Sequence, residues 1–144
     1  MRVDRIAAPV VALALVGTAG LSACSSDKKR GDSTSTSAPA PEDLRTDAAA
    51  VATGLKAIKS TAAEIGTTLA VDAQQAKTLE SGIEPAWKQI EGTVKANDQN
   101  AYLTFEDNFA AISTAIESKD AAKAKVAAGK IAAATAAYLA KHPA

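Results

Sequence analysis

The sequence predicts an all-α protein, and three observations support that fold class. Alanine, the residue with the highest helix propensity, accounts for 36 of the 144 residues. Aromatic residues, which favour strands, number only five. From residue 42 onward, apolar residues recur at alternating spacings of three and four, as on one face of a helix. We therefore expect an antiparallel up-down four-helix bundle at residues 42–144, preceded by 41 residues that are not part of the bundle.

The N-terminal segment has the pattern of a bacterial secretory leader. A short basic stretch containing Arg2 and Arg5 precedes an uncharged apolar run at residues 6–20. Such a run has the length of a signal-peptide core and is too short to span a bilayer comfortably. The next four residues are Leu-Ser-Ala-Cys and end at Cys24. The alternative, an apolar core helix that ends at a buried cysteine, fits less well because a tract of very different composition follows directly.

Residues 21–24 resemble the lipobox of bacterial lipoproteins, in which a branched apolar residue and two small residues precede an invariant cysteine. Ser22 and Ala23 are small enough for the narrow site of the membrane-embedded signal peptidase. The resemblance implies that residues 1–23 are removed, that the Cys24 thiol carries a diacylglycerol, and that its amine is acylated, for example with palmitate. Two or three acyl chains anchor a protein stably, whereas one chain does so only marginally.

These features predict the cellular location of the protein. The chain is expected to be lipid-anchored at the extracytoplasmic face of the cell membrane. Its alanine-rich composition is typical of a high-GC actinobacterium, where that face is the usual destination.

Residues 24–41 are expected to form the lipidated cysteine and a tether. The tract after the cysteine contains no large apolar residue and is rich in Ser, Thr, Pro and charged residues. It cannot bury enough apolar surface to offset the entropy of ordering, so we expect disorder. The basic residues at 28–30 suit either contact with anionic headgroups or a solvated spacer, and we favour the spacer.

The first helix of the domain is predicted from the longest apolar stripe. Pro41 lies near its first turn, and three acidic residues between positions 42 and 47 suit the positive end of a helix dipole. A capping box at Thr61 and Glu64 would break the helix near residue 60. We expect one continuous helix because the stripe keeps its phase throughout. The stripe consists of Leu44, Ala48, Val51, Leu55, Ile58, Ala62, Ile65 and Leu69.

A second helix is expected after Asp72, which suits its N-cap position. Pro85 lies inside this helix and should kink or interrupt it near Ile83. The apolar stripe of the second helix is Ala76, Leu79, Ile83, Trp87, Ile90 and Val94.

The third and fourth helices are predicted from Asp98 and Asp120, which suit their N-terminal ends. The third helix carries a stripe of Tyr102, Phe105, Phe109, Ile112 and Ile116. The fourth spans Ala121–Ala140 and is mostly alanine. Its start is basic because of Lys119, Lys123, Lys125 and Lys130, which we interpret as a solvated charged face.

The motif search argues against an enzyme and against a resident cofactor. The single cysteine and single histidine exclude a disulfide framework and any Cys/His zinc site within one chain. That histidine, His142, lies beside the last proline and is best interpreted as part of a solvated helix end. Sixteen basic residues balance 16 acidic residues, so the charge does not indicate a nucleic-acid partner. The expected partners are the membrane, through Cys24, and an unspecified protein.

Four carboxylates in the second and third helices are the candidate metal ligands. Two helices that offer inward carboxylates can bind a cation through oxygen atoms. The alternative is an exposed face with salt bridges, because both glutamates of the second helix have a lysine four residues later. Under that alternative, Trp87, Tyr102 and Phe105 are aromatic anchors of the core. The candidate ligands are Glu84, Glu91, Glu106 and Asp107.

The same stretch resembles small extracytoplasmic helical domains associated with iron-permease or imelysin-like iron-uptake systems. The shared elements are Trp-x-x-Ile-Glu from Trp87, Val-Lys-Ala-Asn-Asp from Val94, and Tyr-x-x-Phe-Glu from Tyr102. The resemblance implies metal contacts at Glu91 and Glu106, although the His-x-x-Glu motif of imelysin-type proteins is missing. The sequence therefore predicts a non-enzymatic helical binding or envelope-accessory module, with an accessory role in iron or other metal uptake as the alternative.

Overall fold

The computed structural model describes residues 40–144, and their regular structure is entirely helical, which confirms the all-α fold class. The leader, Cys24 and nearly all of the tether lie outside the described residues. A short 3-10 turn at Pro41–Asp43 precedes six α-helices. These are α1 (Ala48–Thr68), α2 (Ala73–Glu80), α3 (Ile83–Lys88), α4 (Glu91–Asn97), α5 (Gln99–Glu117) and α6 (Ala121–Lys141).

Aspartate side chains cap the N-termini of the four longest helices. Each carboxylate accepts a hydrogen bond from a backbone N–H in the first turn, where the helix itself offers no acceptor. Asp72 and Asp120 occupy the cap positions that the sequence predicted. The four bonds run from Ala50 to Asp47 (2.7 Å), from Gln75 to Asp72 (2.9 Å), from Ala101 to Asp98 (2.9 Å) and from Lys123 to Asp120 (3.0 Å).

The first helix begins later than its apolar stripe suggested. It starts at Ala48, because the Asp47 backbone is extended (φ −74°, ψ 163°) while its side chain caps the helix. Pro41 opens the 3-10 turn instead, and Leu44 is 43% exposed in an extended segment rather than part of the core. The expected continuity is confirmed, because α1 runs to Thr68 without a break at Thr61.

The structure has three short helices, α2, α3 and α4, where the sequence predicted one second helix. The described residues therefore contain six α-helices rather than the four that were expected. A helix continuous through residue 85 would need an N–H on Pro85 to bond the carbonyl of Ser81, and proline has none. The chain therefore turns at Gly82, and Pro85 falls in the first turn of α3, where a missing N–H costs nothing. A second turn at Ile90 (φ −126°, ψ −20°) separates α3 from α4.

Helix α6 lies between α1 and α5 and packs extensively against both. On the other side, α2 and α3 pack against α1, while α2 and α4 pack against α5. Helices α5 and α6 are antiparallel, since Asp98 at the start of α5 pairs with Lys141 at the end of α6 at 3.0 Å. Helices α1 and α6 are also antiparallel, since Gly66 near the end of α1 lies against Lys125 near the start of α6. The apolar side chains between these helices form one continuous core.

Candidate functional site

The aromatic residues predicted as anchors meet around the single tryptophan. Trp87 is 1% exposed, and its ring centroid lies 5.2 Å from Phe105 and 5.3 Å from Phe109. Tyr102 stacks on the same indole at 5.9 Å, and the Lys95 ammonium lies 5.2 Å from the Tyr102 ring centre. Offset and edge-to-face contacts of this kind stabilise a core beyond simple area burial. The cluster fixes α3 onto α5.

The four candidate carboxylates have separate surroundings. Glu84 is exposed and pairs with Lys88 at 3.1 Å, as the salt-bridge alternative predicted. Glu106 accepts a hydrogen bond from the Trp87 indole N–H, so it takes part in the aromatic cluster. Glu91 is 9% exposed and is not a free carboxylate, and Asp107 faces solvent. Within residues 40–144, no three His, Cys, Asp or Glu side chains are placed to share a metal ion.

Polar contacts hold the segment before α1 and the C-terminal part of α6 against α4. The Thr46 backbone N–H donates to the Thr93 hydroxyl at 2.8 Å, which joins the entering chain to α4. The Asn97 amide donates to the Tyr138 hydroxyl at 2.9 Å. Burial raises the pKa of Tyr138 above that of an exposed phenol, and the Asn97 bond opposes this shift. His142 lies against the Tyr138 ring, with centroids 4.7 Å apart, and is partly buried rather than fully solvated.

An open, largely apolar groove of about 430 Å³ runs between α5 and α6. Asn108 lines it and is 7% exposed. The Asn108 amide N–H donates to the Thr104 carbonyl at 2.7 Å, whereas its side-chain oxygen makes no hydrogen bond with any described residue. A second groove of about 440 Å³ lies further along the same helix pair, and Lys130 borders both. The other residues of the first groove are Ala111, Thr114, Asp120, Ala122, Lys123, Val126 and Ala127.

A stripe of five small residues and one valine runs along the solvent side of α6. They follow one another at spacings of four, three, four, three and four, which places them on one helix face. All six are exposed, and Val126 is 61% exposed. A Cβ added at Gly129 would meet nothing within 4 Å, so this face is open. We call it the α6 outer face: Ala122, Val126, Gly129, Ala133, Ala136 and Ala140.

Every ionised side chain on α6 is a lysine. Lys123 pairs with the cap residue Asp120 at 3.1 Å, and Lys141 pairs with Asp98 at 3.0 Å. Lys125 and Lys130 are exposed, and neither has an ion pair with any residue of the described range. The helix is therefore a basic strip on a domain whose residues 42–144 carry 11 basic and 13 acidic groups.

Comparison with known proteins gives no functional lead. No protein-family model matches the sequence, and no curated protein or solved structure is detectably similar to it. None of the helices in residues 40–144 has the length and hydropathy needed to cross a membrane.

Sequence reasoning missed the groove because its defining residue carries no motif. Asn108 lies three residues after Phe105 and four before Ile112, so its spacing places it on the buried face of α5, but as a polar residue it was left out of the apolar stripe. The lysines were noticed, but the α6 outer face was not. Eleven of the 21 residues of α6 are alanine, so buried and exposed positions look alike in the sequence. The signal that was present is the complete lack of acidic residues in α6.

Proposed function

We propose that this protein is a lipid-anchored extracytoplasmic lipoprotein whose helical domain is a non-enzymatic binding module. The proposed lipid anchor is supported by the Leu-Ser-Ala-Cys motif at residues 21–24. This motif directly follows an apolar, uncharged run and precedes a polar tract. Cys24 is the proposed attachment point for the acyl chains.

A binding role for the domain is supported by the kind of surface that it exposes. Two of the carboxylates that the sequence suggested as metal ligands instead take part in packing and in a salt bridge, as Glu106 and Glu84 illustrate. The α5–α6 groove and the α6 outer face instead offer an open apolar surface with lysines at its edge. Such a surface suits the recognition of another macromolecule.

We further propose that the domain is an up-down four-helix bundle in which the short helices α2, α3 and α4 together take the place of the second helix. This arrangement is supported by the packing of both α6 and the α2–α4 segment against α1 and α5.

No observation in residues 40–144 favours the alternative role in metal uptake over this proposal. Two of its four candidate ligands, Glu84 and Glu106, are bound to Lys88 and Trp87.

Replacing the lipidated residue tests the proposed anchor. We expect Cys24→Ala to abolish incorporation of labelled palmitate and to move the protein from the membrane fraction to the soluble fraction or the medium. Without its thiol, residue 24 cannot receive a diacylglycerol. Fractionation followed by immunoblotting measures the shift.

Ser25→Ala, one residue further on, is the matched control and should remain membrane-bound and labelled. Membrane retention of Cys24→Ala at the level of this control would overturn the proposed anchor.

A further inference from the structure

We propose that the α6 outer face, together with the adjoining α5–α6 groove, binds an acidic amphipathic helix of a partner protein. This inference deepens the proposed function by naming the surface and the chemistry of its partner, and it rests on that proposal.

Charge is the first argument for an acidic partner. Helix α6 carries four lysines and no acidic residue, although the domain as a whole has a slight acidic excess. Lys130 is exposed, borders both grooves, and has no ion pair with a described residue. Lys125 is likewise exposed and unpaired within this range. A carboxylate-bearing segment would pair with lysines that the domain itself leaves without partners.

Shape is the second argument, and it favours a helix. The six residues of the α6 outer face, five of which are Ala or Gly, repeat at the alternating spacing of a helix-packing seam. Ala and Gly at such positions allow two helix axes to approach closely. Amphipathic helices bind in grooves of this kind through side chains spaced three and four residues apart.

The Asn108 amide supplies a polar contact point in the lining of the groove. Its oxygen accepts no hydrogen bond from a described residue, although the side chain is 7% exposed. Within residues 40–144, the only buried side-chain polar atom without a hydrogen-bond partner is Thr135 Oγ1, so the Asn108 oxygen is accessible to a donor from water or from the partner. A Ser, Thr or Asn side chain on the docked helix can donate to it.

Two other occupants fit the surface less well. A second copy docked symmetrically would place the lysines of one α6 against those of the other, which costs electrostatic energy. A membrane surface would meet the basic strip, but Val126 is the only large apolar residue on the α6 outer face. Helices that lie in the membrane interface normally bury several large apolar side chains.

Photo-crosslinking in intact host cells tests the proposal. The full chain carries the photoreactive residue p-benzoylphenylalanine at Ala133 on the α6 outer face or, as the control, at Ala63, an exposed position on α1. After irradiation, the cross-linked peptides are identified by mass spectrometry. We expect an adduct from Ala133 alone, to one protein, within a segment that has amphipathic helical periodicity and net negative charge.

Two pairs of variants connect the adduct to the proposed contacts. Lys130→Glu should lower the adduct yield roughly tenfold through like-charge repulsion, whereas Lys59→Glu on α1 should leave it unchanged. Gly129→Leu fills open space on the α6 outer face and should also lower the yield, whereas Ala57→Leu on α1 should not. Circular dichroism of each purified variant checks that the helices remain folded.

The proposal is overturned if Ala133 gives no adduct, or if its adduct contains a lipid, a second copy of this chain, or a segment without acidic residues. It is also overturned if both glutamate variants give the same yield. Membrane fractionation of the same cells distinguishes this failure from a failure of the proposed anchor. If the protein stays in the membrane fraction but gives no adduct, only the proposed partner surface is overturned.

Discussion

At the scale of single residues, two glycines in helices have opposite surroundings. A Cβ at Gly129 would enter open space, whereas a Cβ at Gly66 would lie 3.1 Å from Lys125 Cγ and 3.3 Å from Lys125 Cα. The Lys125 backbone belongs to α6 and cannot move without shifting that helix. Gly66 therefore allows the close approach of α1 and α6, whereas Gly129 has no such role within the domain.

This contrast predicts that alanine substitutions at the two glycines change the free energy of unfolding in opposite directions. Gly129→Ala should raise the free energy of unfolding by about 0.5–1 kcal/mol, because alanine loses less backbone entropy in a helix. Gly66→Ala should lower it by about 1–2 kcal/mol, because the extra methyl group pushes α6 away from α1. Urea denaturation followed by circular dichroism measures both. Equal effects of the two substitutions would contradict the packing of α1 on α6 at this point.

At the scale of secondary-structure elements, the start of α5 depends on Asp98. The carboxylate accepts a hydrogen bond from the Ala101 N–H at 2.9 Å and pairs with Lys141 at 3.0 Å. The Ala101 bond, followed by Lys141, lowers the pKa of Asp98 below its ordinary value of 3.8. A lowered pKa in the folded state means that the ionised side chain stabilises the fold above pH 3.8, and that this contribution is lost as the pH falls through the folded-state pKa.

The Asp98→Asn variant isolates the charge from the cap. Asparagine still accepts the Ala101 N–H bond but offers no charge to Lys141. We expect Asp98→Asn to melt below the wild type at pH 7, and the difference to shrink as the pH falls below 3.8. Thermal melts between pH 7 and pH 2 measure this.

Asp107→Asn is the control, since Asp107 is exposed on α5 and caps no helix. If the melting temperatures of the wild type and Asp98→Asn differ as much at pH 2 as at pH 7, the charge of Asp98 is not the cause of the difference.

Helix ends were more predictable from the sequence than helix packing. Asp72 and Asp120 could be placed as caps because a short side-chain acceptor before an apolar stripe has a direct physical meaning. Pro85 correctly indicated an interruption near Ile83. The turn at Ile90 was not predicted, since the apolar stripe continues through it; in the structure Ile90 packs against Gly54, and Gly92, a poor helix former, follows two residues later.

The candidate site could be predicted only in part. Trp87 and Phe105 form a core cluster, which their bulk and helical spacing indicated. The carboxylates were predicted from their places on two neighbouring helices and from a resemblance, and neither fixes the distance between two side chains. The α6 outer face was beyond prediction, because alanine is equally compatible with burial and exposure and gives the periodicity no contrast.

At the scale of the whole molecule, all six α-helices contribute to a single core, so we expect the domain to unfold as one cooperative unit. Buried residues of all six helices belong to the same cluster, and Trp87 lies within it beside Phe105. Trp87 is the only tryptophan in the chain, so its fluorescence reports on the α3–α5 contact alone. Circular dichroism reports mainly on the three long helices.

We expect fluorescence and circular dichroism to give the same unfolding midpoint in urea. In a two-state transition, the aromatic cluster and the long helices are lost together. A fluorescence midpoint clearly below the circular dichroism midpoint would show that α2–α4 detaches first. The Phe109→Leu variant, which removes a ring next to Trp87, should shift both midpoints equally.

The position of α6 between α1 and α5 also sets the order in which the chain can fold during its synthesis. Residues of α1 leave the ribosome first, yet the helix that covers much of its apolar face is the last of the six to be made. Until then, α1 can pack only against α2 and α3. Helices α5 and α6 are neighbours in sequence and can pair at once, whereas α1 must then close a loop of some fifty residues to reach α6. The packing between α1 and α6 therefore forms only after the last of the described helices is made.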